Sequence, residues 1–274
     1  MKVVLFCGGL GTRLRSYSET VPKPMVNIGQ RPILWHLMRY YAHFGHTDFI
    51  LCLGYKGEVI KDYFLNYREW LSNDFVLSDG GREIHLLNRD IDDWKITFVD
   101  TGTKSNIGQR LKAVEHHLDG DEVFMANYAD GLTDLWLPDY LAHFMTQNKI
   151  ASFLAVRSTQ SFHVVSVDDA GLVSSIEPFS DSKIWINGGF FVFRREIFDC
   201  LHEGEELVFE PFQRLIARQD LYAYRYQGFW MPMDTFKEKQ VLDDLYEHGD
   251  PPWAVWRQPT PSGSTGRQTW AAPC

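Results

Sequence analysis

The chain has 274 residues, of which 45% are hydrophobic, and a formal net charge of −9. A chain of this length can bury a sizeable core, either as one large domain or as one domain with an insertion. Its negative charge repels nucleic acids and anionic membranes, so a phosphate-bearing ligand must be held by a local cluster of donors and cations. We find no run of ~18 uncharged apolar residues and no signal-peptide pattern, and we expect a cytoplasmic protein without membrane or nucleic-acid partners.

The first half of the sequence alternates short apolar runs with segments of helical periodicity. Strands are predicted at 3–6, 49–53, 96–99 and 123–125, and helices at 31–44, 58–67 and 110–118. This order predicts an α/β fold: a Rossmann-like, mainly parallel (mixed) sheet with helices on both faces. Ligands of such sheets bind at the carboxyl ends of the strands.

The second half has a different pattern. Residues 73–94 lack clear periodicity and are predicted to form an insertion of strands and loops, and short strands follow at 151–156, 164–167, 172–176 and 186–193, with a turn at 168–171. This spacing favours a smaller, more antiparallel portion that completes the same core. We predict one domain over 1–256 and, from its Gln, Pro, Ser, Gly and Thr content, a disordered tail over 257–274.

The strongest chemical signal follows the first strand, where GGLGTRL begins at Gly8 and PKPM begins at Pro22. Three glycines in four positions let the backbone approach an anion and point N–H groups at it. Arg13 can bind a phosphate with two hydrogen bonds, and Lys23 is a point charge between two prolines that restrict its backbone. A bare glycine-rich turn with surface cations would lack this ordered set, and the spacing matches neither the Walker P-loop nor the dinucleotide motif.

These motifs resemble the signature of the sugar-phosphate nucleotidyltransferases, and the run from Pro22 to Met38 resembles the glucose-1-phosphate cytidylyltransferase branch. The resemblance extends over nearly the whole chain up to Trp256 through the runs GYKG (54–57), VDTG (99–102), GQRLK (108–112), YADG (128–131), INGGFF (186–191) and GFWMPMDT (228–235). It implies transfer of CMP from CTP to a sugar-1-phosphate-like acceptor, with release of pyrophosphate. Another base or a cyclitol phosphate acceptor is an alternative.

The resemblance also implies roles for individual residues. Residues 1–135 would form the nucleotide-binding half and 136–256 the acceptor-side half, with Arg13, Lys23 and Asp130 as catalytic residues. The nucleotide-binding positions would be Phe6, Cys7, Gly8, Gly9, Leu10, Gly11, Thr12, Arg13, Lys23, Ser105, Arg110 and Ala129. For Ser105 and Arg110, a helix cap and a solvent-facing charge are the alternative interpretations.

Two aspartates are candidate metal ligands. Asp130 follows a predicted strand, and Asp234 precedes a predicted helix. From the residues alone they can equally be a turn residue and a helix N-cap. The resemblance implies that together they hold Mg²⁺, which prefers oxygen ligands and shares them with phosphates and water.

The acceptor half departs from the family pattern. Glu177, Lys183, Asn187 and Gly188 are the expected acceptor-binding residues, but Pro178 stands where the family has the lysine that holds the sugar phosphate. Lys183 could reach back to replace that lysine. His163 stands where the family has a glycine-containing turn that lines the sugar.

These departures leave three hypotheses open. The first is a cytidylyltransferase for an acceptor other than glucose-1-phosphate, and the second is the ordinary enzyme with compensating residues. The third is a nucleotide-binding protein with impaired transfer. Trp253 and Trp256, near the end of the predicted domain, favour a packing or subunit contact, and we expect a homo-oligomer.

Overall fold

A computed structural model of the chain describes residues 1–9, 21–157, 163–178 and 184–257. The strands in these ranges are β1 Val3–Phe6, β2 Asn27–Ile28, β3 Arg31–Pro32, β4 Asp48–Leu53, β5 Phe75–Ser78, β6 Glu83–Leu86, β7 Lys95–Asp100, β8 Val123–Tyr128, β9 Gly131–Thr133, β10 Ala151–Val156, β11 His163–Val167, β12 Val173–Pro178, β13 Ile186–Asn187, β14 Phe191–Arg194, β15 Leu221–Tyr226 and β16 Trp230–Pro232. The helices are α1 Ile33–His43, α2 Gly57–Leu65, α3 Ile107–Ala113, α4 Leu137–Gln147, α5 Glu210–Ala217 and α6 Phe236–Glu247.

An eight-stranded mixed sheet forms the centre of the described structure. Strand β1 lies in the middle, parallel to β4 on one side and to β8 on the other, and β7 extends the β4 side in parallel. Beyond β8 the sheet continues through antiparallel β14 to β10, and β15 pairs in parallel with the outer edge of β10. The predicted mainly parallel sheet is therefore confirmed, and β15 is a parallel strand in the half that was predicted to be more antiparallel.

Helices cover both faces of this sheet, as the alternation of buried residues on its strands requires. Val3 and Leu5 enter a core against α1, α2, α4 and α6, whereas Val4 and Phe6 enter a second core against α3 and α5. Because consecutive β1 residues are buried on opposite faces, the strand is a continuous apolar run.

Within the described ranges, four two-stranded antiparallel sheets lie outside the central sheet: β2–β3, β5–β6, β9–β16 and β11–β12. The β5–β6 hairpin confirms the insertion predicted at 73–94. The turn predicted at 168–171 is also confirmed, because Asp168 Oδ1 accepts hydrogen bonds from the backbone of Ala170 and Leu172. The β9–β16 pair joins segments that are distant in sequence, and it brings the residue before β9, Asp130, near Asp234, which follows β16.

Several predicted boundaries were wrong. The first helix begins at Ile33, because Arg31 and Pro32 pair with Asn27 and Ile28. The helix predicted at 110–118 is α3 followed by a 3₁₀ segment, and the strand predicted at 186–193 is interrupted between β13 and β14. Residue 257 ends a 3₁₀ turn, and the rest of the predicted tail lies outside the described residues. In the part of the chain that is described, no helix is long and apolar enough to cross a membrane.

Candidate active site

The carboxyl ends of β1 and β4 approach each other closely. A Cβ atom on Gly54 would lie 2.9 Å from the Cα of Gly8, and one on Gly8 would lie 2.0 Å from Nη1 of Arg110. A side chain at position 8 would therefore have to displace the Arg110 guanidinium. Its neighbour Gly9 is exposed, and a Cβ atom there would meet no described atom within 4 Å. The glycine-rich segment thus begins with one packed glycine and one accessible glycine.

Arg110 lies beneath this edge of the sheet and is only 2% exposed. Its Nη1 donates to the Leu53 carbonyl at 3.0 Å and to Thr101 Oγ1 at 2.7 Å, and its Nη2 donates to the Gly8 carbonyl at 3.0 Å. Burial lowers the pKa of Arg110 from its ordinary value. The alternative of a solvent-facing charge is therefore wrong, and Arg110 connects the ends of three strand segments. It also lies within α3 instead of at its start.

Three other predicted nucleotide positions, Phe6, Cys7 and Ala129, are buried at the same edge. The Phe6 ring lies 6.4 Å from that of Tyr128, and the Cys7 backbone N–H donates to the Cys52 carbonyl at 3.0 Å. Burial raises the pKa of the Cys7 thiol well above its usual value, so the thiol stays protonated and unreactive. Because their side chains are buried, these residues can offer a ligand only backbone groups and apolar packing contacts.

Ser105 lies near the start of α3 but does not cap it. The N-cap is Asn106, whose side chain accepts from the Gln109 N–H in a capping box. Ser105 Oγ donates instead to the Thr101 carbonyl at 2.5 Å. The alternative interpretation of Ser105 as a helix cap is wrong. The predicted positions Leu10, Gly11, Thr12 and Arg13 lie outside the described residues.

The two aspartates predicted to bind metal lie on adjacent strand ends. Asp130 separates β8 from β9, and Asp234 follows β16, which is antiparallel to β9. The N–H of Met233 donates to the Asp130 carbonyl at 2.8 Å, so the backbone itself fixes the two loops together. The N-cap of α6 is Thr235, in a capping box with Glu238. The alternative interpretation of Asp234 as an N-cap is therefore wrong.

Lys23 lies between these carboxylates. Its Nζ is 2.5 Å from Asp130 Oδ2 and 2.5 Å from Asp234 Oδ1, and its side chain is 12% exposed. Burial alone would lower the pKa of Lys23, but the charges of Asp130 and Asp234 outweigh burial and raise it. The ammonium is therefore a permanent cation held by both aspartates.

The donor set around Lys23 fits a divalent metal ion. Two carboxylates converge on one cation, and each offers the hard oxygen atoms that Mg²⁺ prefers. Among the described residues, no group of three His, Cys, Asp or Glu side chains could hold a metal. The remaining ligands would have to be phosphate oxygens and water, which is the usual arrangement at a nucleotide site.

Of the residues predicted to bind the acceptor, Asn187 ends β13 and Gly188 follows it, before β14. Asn187 Nδ2 is 3.5 Å from the Tyr128 hydroxyl, and the Trp230 indole N–H donates to the Gly188 carbonyl at 2.9 Å. Gly189 has a φ of +74°, and a Cβ atom there would lie 2.5 Å from Asn127 Oδ1. Glycine at 189 therefore allows the interruption that turns Asn187 towards Tyr128, two residues before Asp130.

The two departures from the family pattern face each other. His163 and Pro178 are directly opposed in the β11–β12 hairpin, and both are exposed. Glu177, predicted to bind the acceptor, is opposite Val164 and is also exposed. Lys183, the suggested replacement cation, lies outside the described residues. Both changes therefore affect one small region.

Sequence reasoning did not single out a cation–aromatic cluster where this hairpin joins the sheet. The guanidinium carbon of Arg157 lies 4.3 Å from the Trp185 ring centroid, and that of Arg225 lies 5.9 Å from it. Ala155 is opposite both Asn187 and Arg225, on either side of it. Residues opposed across neighbouring strands share a face, so Arg225 and Asn187 project from the same side of the sheet. The sequence places these arginines far apart, and strand register alone brings them together.

Comparisons with known proteins agree on one family. The family model described as "Nucleotidyl transferase" matches residues 2–238. The glucose-1-phosphate cytidylyltransferases of Salmonella typhi and Salmonella typhimurium are each 39% identical over 260 residues, which cover 93% of this chain and 100% of the relative. The solved structure of HddC from Yersinia pseudotuberculosis has a TM-score of 0.63 at 19% identity and covers 89% of this chain and 99% of that chain. At this identity, the structural likeness shows the fold alone.

Proposed function

Because the chain belongs to the nucleotidyl transferase family, we propose that it transfers CMP from CTP to a sugar-1-phosphate, releasing pyrophosphate and forming a CDP-sugar. One observation carries this proposal: Lys23, Asp130 and Asp234 converge from three distant segments beside the Gly8 edge of the sheet. Relatives that match along their whole length are cytidylyltransferases, which supports CTP as the nucleotide.

The reaction needs charge neutralisation more than a protein nucleophile. An acceptor phosphate oxygen forms a bond to the α-phosphorus of CTP, and the bond from that phosphorus to the pyrophosphate oxygen breaks. Both reactants are anions, so Arg13 and Lys23 would lower their repulsion and align the triphosphate. Backbone N–H groups of the segment that begins at Gly8 would contribute further donors.

We propose that Asp130 and Asp234 hold Mg²⁺ when the nucleotide is present. The bound ion would neutralise the α-phosphate and the leaving oxygens. The backbone hydrogen bond between Met233 and Asp130 keeps the carboxylates close together, and this supports their joint use as ligands. Among the described residues, no group of three or more His, Cys, Asp or Glu side chains could hold a metal, so phosphate oxygens and water would complete the coordination.

For the acceptor, we favour a sugar phosphate other than glucose-1-phosphate. Pro178 stands where the expected cation would be, and Arg225 is a described cation on the same face of the central sheet as Asn187. Arg225 lies two strands from Asn187, roughly 10 Å at the usual strand spacing. We propose that Arg225, with Arg157 on the same tryptophan, contacts an anionic group of the acceptor.

We also propose a homo-oligomer in a reducing, cytoplasmic compartment. Trp253 is fully buried against Phe229, so it packs internally, which is one of the two roles expected for it, and it does not form a subunit contact. Exposed apolar residues of the β11–β12 hairpin, among them Val167 and Ile176 at 58% and 63% exposure, support a contact there. Cys7, Cys52 and Cys200 are unpaired, which suits reducing conditions. Light scattering with chromatography measures the oligomer, and a monomer at micromolar concentration contradicts it.

The test is pyrophosphate release with Mg²⁺, each of CTP, UTP, dTTP, GTP and ATP, and a panel of sugar and cyclitol phosphates. We expect turnover with CTP and an acceptor other than glucose-1-phosphate. Turnover with glucose-1-phosphate as the best acceptor would favour the ordinary activity with compensating residues. CTP binding without any release across the panel would contradict the transferase proposal and favour a nucleotide-binding protein.

A further inference from the structure

The Lys23 ammonium occupies the position between the two carboxylates that the proposed metal would share. We propose that Lys23 is a tethered counter-cation, which holds Asp130 and Asp234 together in the free protein and leaves them for the triphosphate. Metal and nucleotide then bind as one coupled event. This inference rests on the proposed function, because it takes a nucleoside triphosphate with a divalent metal ion as the ligand.

Electrostatics explains why the free protein needs a cation there. Asp130 and Asp234 both lie 2.5 Å from the same nitrogen, so their charges are close together and partly buried. Two carboxylates that share such a site repel each other unless a positive charge lies between them. Lys23 supplies that charge, and a metal ion that enters alone must displace an ammonium held by two hydrogen bonds.

The backbone geometry confines the change to the lysine side chain. Lys23 begins a 3₁₀ turn between Pro22 and Pro24, and the N–H of Met25 donates to the Pro22 carbonyl at 2.8 Å. The aspartate loops are fixed by the β9–β16 ladder. The lysine side chain has a flexible four-carbon stem, so its ammonium can move while its backbone stays in place.

Coupling follows from this exchange. A metal ion without nucleotide gains two carboxylates but leaves a buried ammonium without its partners. When the triphosphate is present, its oxygens become new partners for Lys23 and additional ligands for the metal. By thermodynamic linkage, the factor by which nucleotide tightens metal binding equals the factor by which metal tightens nucleotide binding.

The experiment measures Mn²⁺ binding by electron paramagnetic resonance, with and without CTP, in the wild-type protein and in Lys23→Met. Mn²⁺ takes the same oxygen ligands as Mg²⁺. We expect CTP to tighten Mn²⁺ binding to the wild type by about 10-fold or more, within the usual range of coupling. Lys23→Met should bind Mn²⁺ alone about 10-fold more tightly than the wild type, because no ammonium has to be displaced, and should lose most of the coupling.

Lys2→Met is the matched control. Lys2 lies away from this site, where its Nζ forms an ion pair with Asp121 Oδ2 at 2.7 Å, so its replacement should leave Mn²⁺ binding unchanged. Lys23→Gln gives a second neutral side chain if Lys23→Met does not fold, as judged by circular dichroism. The inference is overturned if folded Lys23 variants bind Mn²⁺ alone no more tightly than the wild type. It is also overturned if the wild type binds Mn²⁺ equally well without CTP. Failure of the transferase proposal would be recognised by a different observation. The wild type would then release no pyrophosphate, while the comparison of Mn²⁺ binding would still test the role of Lys23.

Discussion

Two regions of this protein are built in opposite ways. One is the proposed nucleotide edge, which comprises Gly8, Arg110 and the loop at Asp130, and the other is the β11–β12 hairpin. At the nucleotide edge, the Arg110 guanidinium donates to the Gly8 carbonyl, and the Met233 N–H donates to the Asp130 carbonyl. The β11–β12 hairpin instead forms a sheet of its own, and almost all of its side chains are exposed. Under the proposed function, a packed framework would position the nucleotide, whereas acceptor recognition would depend in part on a segment with few packing constraints.

This contrast explains where the chain departs from its family. A change at Gly8 would displace a buried guanidinium, so it is costly. His163 and Pro178 are exposed and face each other, so both can change without disturbing a core. Exposed positions such as these can therefore change while the packed edge around Gly8 stays the same.

The largest expected effect is at Asp130. Replacing it in Asp130→Asn removes one of the two charges proposed to hold the metal, and we expect pyrophosphate release to fall by roughly 10²–10³-fold or more. Steady-state release over a Mg²⁺ titration measures this. Asp139→Asn, an exposed aspartate in the first turn of α4, serves as the control. Undiminished turnover in Asp130→Asn would show that the metal assignment is wrong.

Arg110→Met tests whether the nucleotide edge is a packed framework. The substitution removes the Arg110 donor from the Gly8 carbonyl and from Thr101 Oγ1, whereas the Leu53 carbonyl still accepts from the N–H and Oγ1 of Thr101. Unsatisfied buried acceptors each cost free energy, so we expect the free energy of unfolding to fall by about 2–4 kcal/mol. Urea denaturation measures the change, with exposed Lys112→Met in the same helix expected to alter it by less than about 0.5 kcal/mol. Equal effects in both variants would remove the framework argument.

Gly8→Ala and Gly9→Ala sharpen the same point with one methyl group each. A Cβ atom at position 8 would overlap the Arg110 guanidinium, whereas one at position 9 meets no described atom within 4 Å. We expect Gly8→Ala to lower the free energy of unfolding by about 1–3 kcal/mol, as overpacking does, and to raise the KM for CTP. Gly9→Ala should change stability little. Identical behaviour of the two variants would contradict the close packing at position 8.

Arg225→Ala examines the acceptor side. If Arg225 contacts an anionic group of the acceptor, the KM for the acceptor should rise by about 10-fold or more while the KM for CTP stays constant. Kinetics with each substrate varied in turn separate the two constants. Arg218→Ala, which removes an exposed ion pair with Asp220, is a suitable control. If only the KM for CTP rises, Arg225 contacts the nucleotide and not the acceptor, and the proposed separation of nucleotide and acceptor regions is contradicted.

The sequence predicted the strands of the sheet better than it predicted the packing between them, and the family resemblance led us to expect that Asp130 and Asp234 lie close together, as both do at Lys23. Strands such as β1 and β4 are continuous apolar runs, and apolar periodicity is sufficient to place them. The burial of the Arg110 side chain could not be predicted, because it depends on hydrogen bonds to carbonyl groups of β4 and of the loop after β1.

The cluster of Arg157, Trp185 and Arg225 was missed for a related reason. Its members come from three chain segments, and only the register of β10 with β13 and β15 brings them together. Patterns that are local in sequence carry no information on such a register. The N-cap position of α6 was likewise misjudged by one residue, because Asp234 and Thr235 are both residues that favour that position.

The contact between Lys23 and Asp234 joins residues 211 positions apart, and it bears on how the protein folds. Closing so long a loop costs entropy before the contact is made, and contacts of this kind form late and slowly. A chain on the ribosome has β1 and β4 available for pairing well before Asp234 has been synthesised. We therefore expect the capacity for transfer to appear only when β16 pairs with β9, so that recovery of activity reports the final step of folding.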